Sequence, residues 1–68
     1  MKYTMRFRRH WIDGTEEYDS IDDACIEAFG MIEDNTAYPI DLVDEQGNVV
    51  MYRDEMFEKG KASFEGTL

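Results

Sequence analysis

Sixty-eight residues allow one domain at most, and a chain this short buries only roughly 60% of the surface its unfolded form exposes, so its core must be economical. An apolar content of 43% with 13% aromatic residues excludes outright disorder, and no run of about 18 apolar residues is present to span a membrane. The formal net charge is −9, and it is polarised: residues 13–58 hold fifteen of the sixteen acids against one base, Arg53, whereas residues 1–12 hold Lys2, Arg6, Arg8 and Arg9 and no acid.

Residues 2–12 alternate. Tyr3, Met5, Phe7 and Trp11 share one face and Lys2, Thr4, Arg6, Arg8 and His10 the other, the period of a strand with one buried side and one wet, cationic side. Asp13-Gly14 follows, and this pair favours a two-residue hairpin turn because both central positions of a type I′ turn need positive φ. Thr15 to Asp19 then reads as a short return strand anchored by Tyr18, with its glutamates near the arginines of the first strand.

Ser20 to Asp34 is an amphipathic helix. Ile21, Ala24, Cys25, Ala28, Phe29 and Ile32 recur at i, i+3, i+4, i+7, i+8 and i+11, and the acids fall elsewhere on the wheel. Ser20 is the expected N-cap, Asp22 and Asp23 suit the positive end of the helix dipole, and Asn35 suits a left-handed stop. Gly30 is anomalous, since glycine in a helix interior costs about 1 kcal/mol relative to alanine. Either the helix frays after Phe29 or another backbone packs close at Gly30. Met31 falls off the main stripe and reads as peripheral core. Cys25, the single cysteine, excludes an internal disulfide and reads as a buried residue of a reducing compartment.

Thr36 to Val43 reads as a third strand, with Pro39 demanding a late start or an edge position because it has no N–H to donate. Asp44 to Asn48 is a turn with Gly47 placed for positive φ, and Val49 to Arg53 is the fourth strand. Asp54 to Lys59 is expected to form one helical turn around Met56 and Phe57. Residues 60–68 are expected to be a C-terminal tail outside the 1–59 domain, with Phe64 and Leu68 as its only docking residues. The predicted class is therefore α+β: a ββαββ chain, an antiparallel sheet of three to four strands with one amphipathic helix packed on one face.

Catalytic chemistry finds no constellation. His10 is the one histidine and has no serine, cysteine or second histidine at a useful spacing, so no nucleophile–base pair forms locally and no enzyme activity is expected. One cysteine and one histidine do not make a zinc site, and the Asp44–Asn48 turn lacks the ligand order of a calcium loop, so no metal or cofactor is expected. Aromatic and basic residues on opposite faces of the first strand argue against a nucleic-acid sheet, as does the overall charge.

The first strand, the Asp13-Gly14 turn, Ser20-Ile-Asp-Asp-Ala at the helix start and the Asp44-Glu-Gln-Gly47 hairpin resemble small bacterial and phage ββαββ domains, including the antitoxin fold of the HicB type, over roughly residues 3–53. In size and acidity the chain is also similar to phage-encoded inhibitors of bacterial defence of the anti-CRISPR kind. Those resemblances imply an inhibitor or regulator. The expectation is a cytoplasmic, non-catalytic protein-binding module whose acidic helix face, Asp22, Asp23, Glu27 and Glu33, engages a basic partner surface. The rival is a sheet-mediated homodimer, and a third surface is the open sheet face with Arg6, Arg8 and His10.

Overall fold

The computed structural model describes residues 1–66; Leu68, one of the two expected docking residues, lies outside the described residues. The chain runs β1 (Tyr3–Arg9), β2 (Ile12–Tyr18), α1 (Ile21–Asp34), β3 (Tyr38–Val43), β4 (Val49–Tyr52) and α2 (Arg53–Gly66). The class is α+β with a four-stranded antiparallel sheet of order β2-β1-β3-β4. Helix α1 leaves edge strand β2, crosses above β1 and enters β3, so β2 and β3 run in the same direction with β1 between them.

Two helices, not one, cover the sheet. Four strands, each taking about 4.8 Å, make a sheet about 19 Å across, and one helix about 10 Å across leaves about half of it bare. Helix α2 fills that half, touching β3 and β4 while it lies along α1. The expected single turn over residues 54–59 is thus a fourteen-residue helix, and residues 60–66, expected as tail, belong to it. The signal was muted because the contact stripe of α2 reads Met56, Phe57, Gly60, Ser63 and Phe64, at helical spacing but with two small residues in it.

Gly60 explains the closeness of the helices. A Cβ built on it would lie 2.2 Å from the Cys25 carbonyl oxygen and 2.8 Å from Phe29 Cβ. No side chain fits there. The close approach expected at Gly30 occurs instead at Gly60, for a Cβ on Gly30 would meet nothing within 4 Å. On either side of Gly60 the seam is aromatic: the Phe29 ring centroid lies 5.3 Å from that of Phe57 and 5.6 Å from that of Phe64.

The core gathers Met5 and Leu42 from the sheet, Ala24, Cys25, Ala28 and Met31 from α1, and Met56 from α2. Met31, expected at the periphery, is buried, while Phe29 and Ile32 are only half-buried because α1 divides its apolar arc between sheet and α2. Methionine dominates this small core, which suits a space bounded by two small-residue helix faces, since its unbranched chain fills irregular gaps. The Cys25 thiol donates to the Met51 thioether at 3.6 Å.

Local signals at both ends of α1 act as the sequence implies. Ser20 Oγ accepts from the Asp23 N–H at 3.1 Å, and Asn35 adopts the left-handed conformation, its N–H and that of Thr36 satisfying the carbonyls of Ile32 and Met31. In the β3–β4 turn the Asp44 carboxylate accepts from the N–H groups of Gln46 and Asn48, and Gly47 has φ 84°. That carboxylate organises a turn, with one oxygen taken by backbone donors. Pro39 sits beyond the reach of β4, which pairs only with Asp41 to Val43, so its missing N–H faces no partner strand there.

The first hairpin turns elsewhere than expected. The closing pair is Arg9 and Ile12, and the two residues between them, His10 and Trp11, both take positive φ, 53° and 68°. Asp13-Gly14 lies inside β2, where Gly14 faces Phe7: a Cβ there would come within 3.0 Å of the Phe7 ring. This register sets Tyr18 opposite Tyr3, beside the core, and pairs all seven residues of each strand.

Candidate functional site

Three surfaces carry the chemistry, and ion pairing distinguishes them. On the open face of the sheet the expected cations are present but neutralised. Arg6 grips Asp41 with two parallel bonds, Nε to Oδ1 at 2.6 Å and a second from its terminal nitrogen to Oδ2. Asp41 is only 3% exposed, so its charge is satisfied by this fork. Arg8 Nε donates to Asp13 Oδ1 at 2.8 Å, and Lys2 pairs with Asp19. Hydrogen bonding to these carboxylates, followed by charge attraction, raises the pKa of Arg6, Arg8 and Lys2 above the ordinary value and lowers that of Asp19. His10 does not share this face, because it occupies the turn.

Helix α1 presents the opposite situation. At about 100° per residue, Asp22, Glu33, Ile26, Gly30, Asp23 and Glu27 fall within an arc of about 140° that points away from the core. Asp22 is drawn to Lys59 of α2 at 3.3 Å. Asp23, Glu27 and Glu33 have no ion pair among the described residues, and they surround Ile26, 43% exposed, and the open space beside Gly30. Glu27 also faces Tyr18 on the neighbouring edge of β2, whose phenol is pushed up to about 12 by burial first and then by Glu27 and Glu16. The sequence marked the acids of this face but not its apolar centre, because Ile26 falls off the main apolar stripe and only the structure shows Gly30 beside it facing open space.

The third surface is the β1–β2 turn. Trp11 is 91% exposed and Ile12 71%, beside Arg9 and His10. Arg9 has no carboxylate partner among the described residues and lies over the Phe7 ring, 5.4 Å from its centroid. Across a groove stands Tyr38, whose ring carries Arg53 at 4.9 Å.

Nucleophiles and metal ligands are scarce. Cys25 is buried, and burial pushes its thiol up, away from the reactive thiolate, with Lys59 opposing the shift. No group of three or more histidine, cysteine or carboxylate side chains converges to hold a metal among the described residues. No helix among them is long and apolar enough to cross a membrane. No family, curated protein or solved structure matches this chain.

Proposed function

We propose that this protein is a non-catalytic binding module that engages a basic protein surface through the solvent face of α1, as an inhibitor or regulator of the antitoxin or anti-defence type. One observation supports this most directly: the chain neutralises Lys2, Arg6 and Arg8 within itself, while Asp23, Glu27 and Glu33 are left without ionic partners around an exposed isoleucine. Unpaired acids raise the association rate with a basic partner, and Ile26 beside the notch at Gly30 gives the contact an apolar centre from which water is excluded. Gly30 thereby gains a reason, since it lets a partner side chain approach the helix backbone.

Replacing Asp23, Glu27 and Glu33 together by lysine is expected to abolish recovery of a partner from host lysate at unchanged circular dichroism. Undiminished recovery overturns the reading. A second reading, self-association through the open sheet face, draws support from Tyr38 and Tyr52, which are 55% and 60% exposed there. Sedimentation at micromolar concentration tests it, and a strict monomer removes it.

A further inference from the structure

Sheet edges expose backbone hydrogen-bonding groups, and the two edges of this sheet differ. On the β4 side the strand is four residues long, its ladder with β3 slips between Leu42 and Val43, and the Tyr52 N–H donates to Glu55 Oε1 of α2 at 3.2 Å. That edge is short and partly capped. On the β2 side the strand is seven residues long, carries no proline, lysine or bulge, and pairs with β1 without a slip. The strained turn at His10 and Trp11 gives it this length, for a turn at Asp13-Gly14 would leave only Thr15 to Tyr18.

Which groups face outward follows from the register. Arg9 and Ile12 close a two-residue turn and so exchange both backbone bonds, as does every second pair after them: Phe7 with Gly14, Met5 with Glu16 and Tyr3 with Tyr18. The N–H and C=O groups of Asp13, Thr15 and Glu17 therefore point away from β1, where they have no partner among the described residues.

The side chains of this edge carry one sign of charge on both faces. Glu16 lies on the helix side with Tyr18, which Glu27 of α1 also faces, and Glu17 lies on the open side with Asp13. Neither Glu16 nor Glu17 has an ion pair among the described residues. The nearby bases are engaged elsewhere, Arg8 by Asp13 and Lys2 by Asp19, with Glu17 only a lesser neighbour of Lys2.

Backbone geometry and charge together select the occupant. Alternate outward N–H and C=O groups match the backbone of another extended strand, whereas a helix has already bonded its own. A second copy of β2, laid antiparallel along the whole strand, would set Asp13 opposite Glu17 at both ends of the ladder, and like charges directly opposite are destabilising. We infer that β2 accepts an extended basic segment of a partner protein as a fifth strand, bonded to the backbone of Asp13, Thr15 and Glu17, with basic side chains set against Glu16 and Glu17. This surface is separate from the solvent face of α1 and does not rest on the function proposed for that face.

The test uses a fluorescein-labelled heptapeptide with two lysines on each side of a central valine and a threonine at each end, titrated with the full chain. Saturable anisotropy is expected, weakened at least about tenfold by Glu16→Lys with Glu17→Lys, both at exposed positions. In the native chain, bound peptide is expected to slow amide hydrogen exchange at Asp13, Thr15 and Glu17 but not at Gly14 and Glu16, which already bond to β1. The same peptide N-methylated throughout keeps its charge and is expected not to bind. Equal binding of the methylated peptide, no saturation, or no gain of protection at Thr15 and Glu17 overturns the proposal. Protection of those amides in the chain alone at raised concentration also overturns it, in favour of a second copy. A peptide held by the solvent face of α1 leaves these amides unprotected, so failure here and failure of the α1 reading are told apart.

Discussion

Gly60 on the seam between α1 and α2 occupies a position where no side chain fits, and Trp11 in the β1–β2 turn occupies one where glycine would fit best. At the seam, residue choice serves packing: losing a side chain lets two helices close on each other and bury Cys25 and Met56. At the turn, residue choice works against local stability. Two bulky residues hold a conformation that costs about 1–2 kcal/mol each outside glycine, and the rings they carry are left in solvent. The difference separates what holds this fold together from what it presents to a partner. A small domain with a stability of a few kcal/mol keeps such a cost only alongside a tight core elsewhere.

The contrast breaks most readily at the seam. Gly60→Ala forces a methyl into the Cys25 carbonyl, and separating the helices is expected to cost about 3 kcal/mol or more, enough to unfold much of the population, as read by urea denaturation. A stability loss below about 1 kcal/mol would mean that the helices are not in contact at that point. At the turn the sign reverses. His10→Asn with Trp11→Gly supplies the residues that a two-residue hairpin prefers and is expected to raise stability by about 1–2 kcal/mol, measured in the same way.

Gly30→Ala sharpens the comparison, because it places the same substitution as Gly60→Ala on the solvent side of α1. It is expected to stabilise by about 0.5–1 kcal/mol, and if the acidic face is a docking surface it should weaken partner binding at the same time. A smaller effect belongs to Tyr18. Its folded pKa of about 12 lies above the ordinary tyrosine value of 10.0, so the neutral phenol is favoured by folding. That stability is fully present below pH 10 and is lost as pH rises from 10 toward 12. Tyr18→Phe should flatten this part of a denaturation-versus-pH curve, by little because the ring is only partly buried.

Asp19 gives the opposite dependence, present above the ordinary carboxylate pKa and lost as pH falls through its lowered folded value. On a fully exposed pair it is expected to be slight, and removing Lys2 is the control.

Much of α1 was legible because its determinants are local. Ser20, Asn35 and the turn at Asp44 to Asn48 each satisfy backbone groups within a few residues, so their side chains identify them directly. The acids of the candidate face were legible for the same reason, as positions on a wheel. Its apolar centre was harder to see, because Ile26 matters only once Gly30 is known to face open space.

The sequence by itself determined the helix and its caps, the second hairpin and the polarised charge, since each follows from residues in contact along the chain. Tertiary structure alone decided the rest. The Asp13-Gly14 pair offered a good turn, but a turn there would set Tyr18 opposite Arg9; the observed register sets it opposite Tyr3 and leaves Gly14 to receive the Phe7 ring. The long ladder and the core contact outweigh the preference of two turn residues. Helix α2 likewise exists because α1 covers only half of the sheet, and Gly60, which the sequence places at the start of a tail, is the residue that lets the second helix close over the other half.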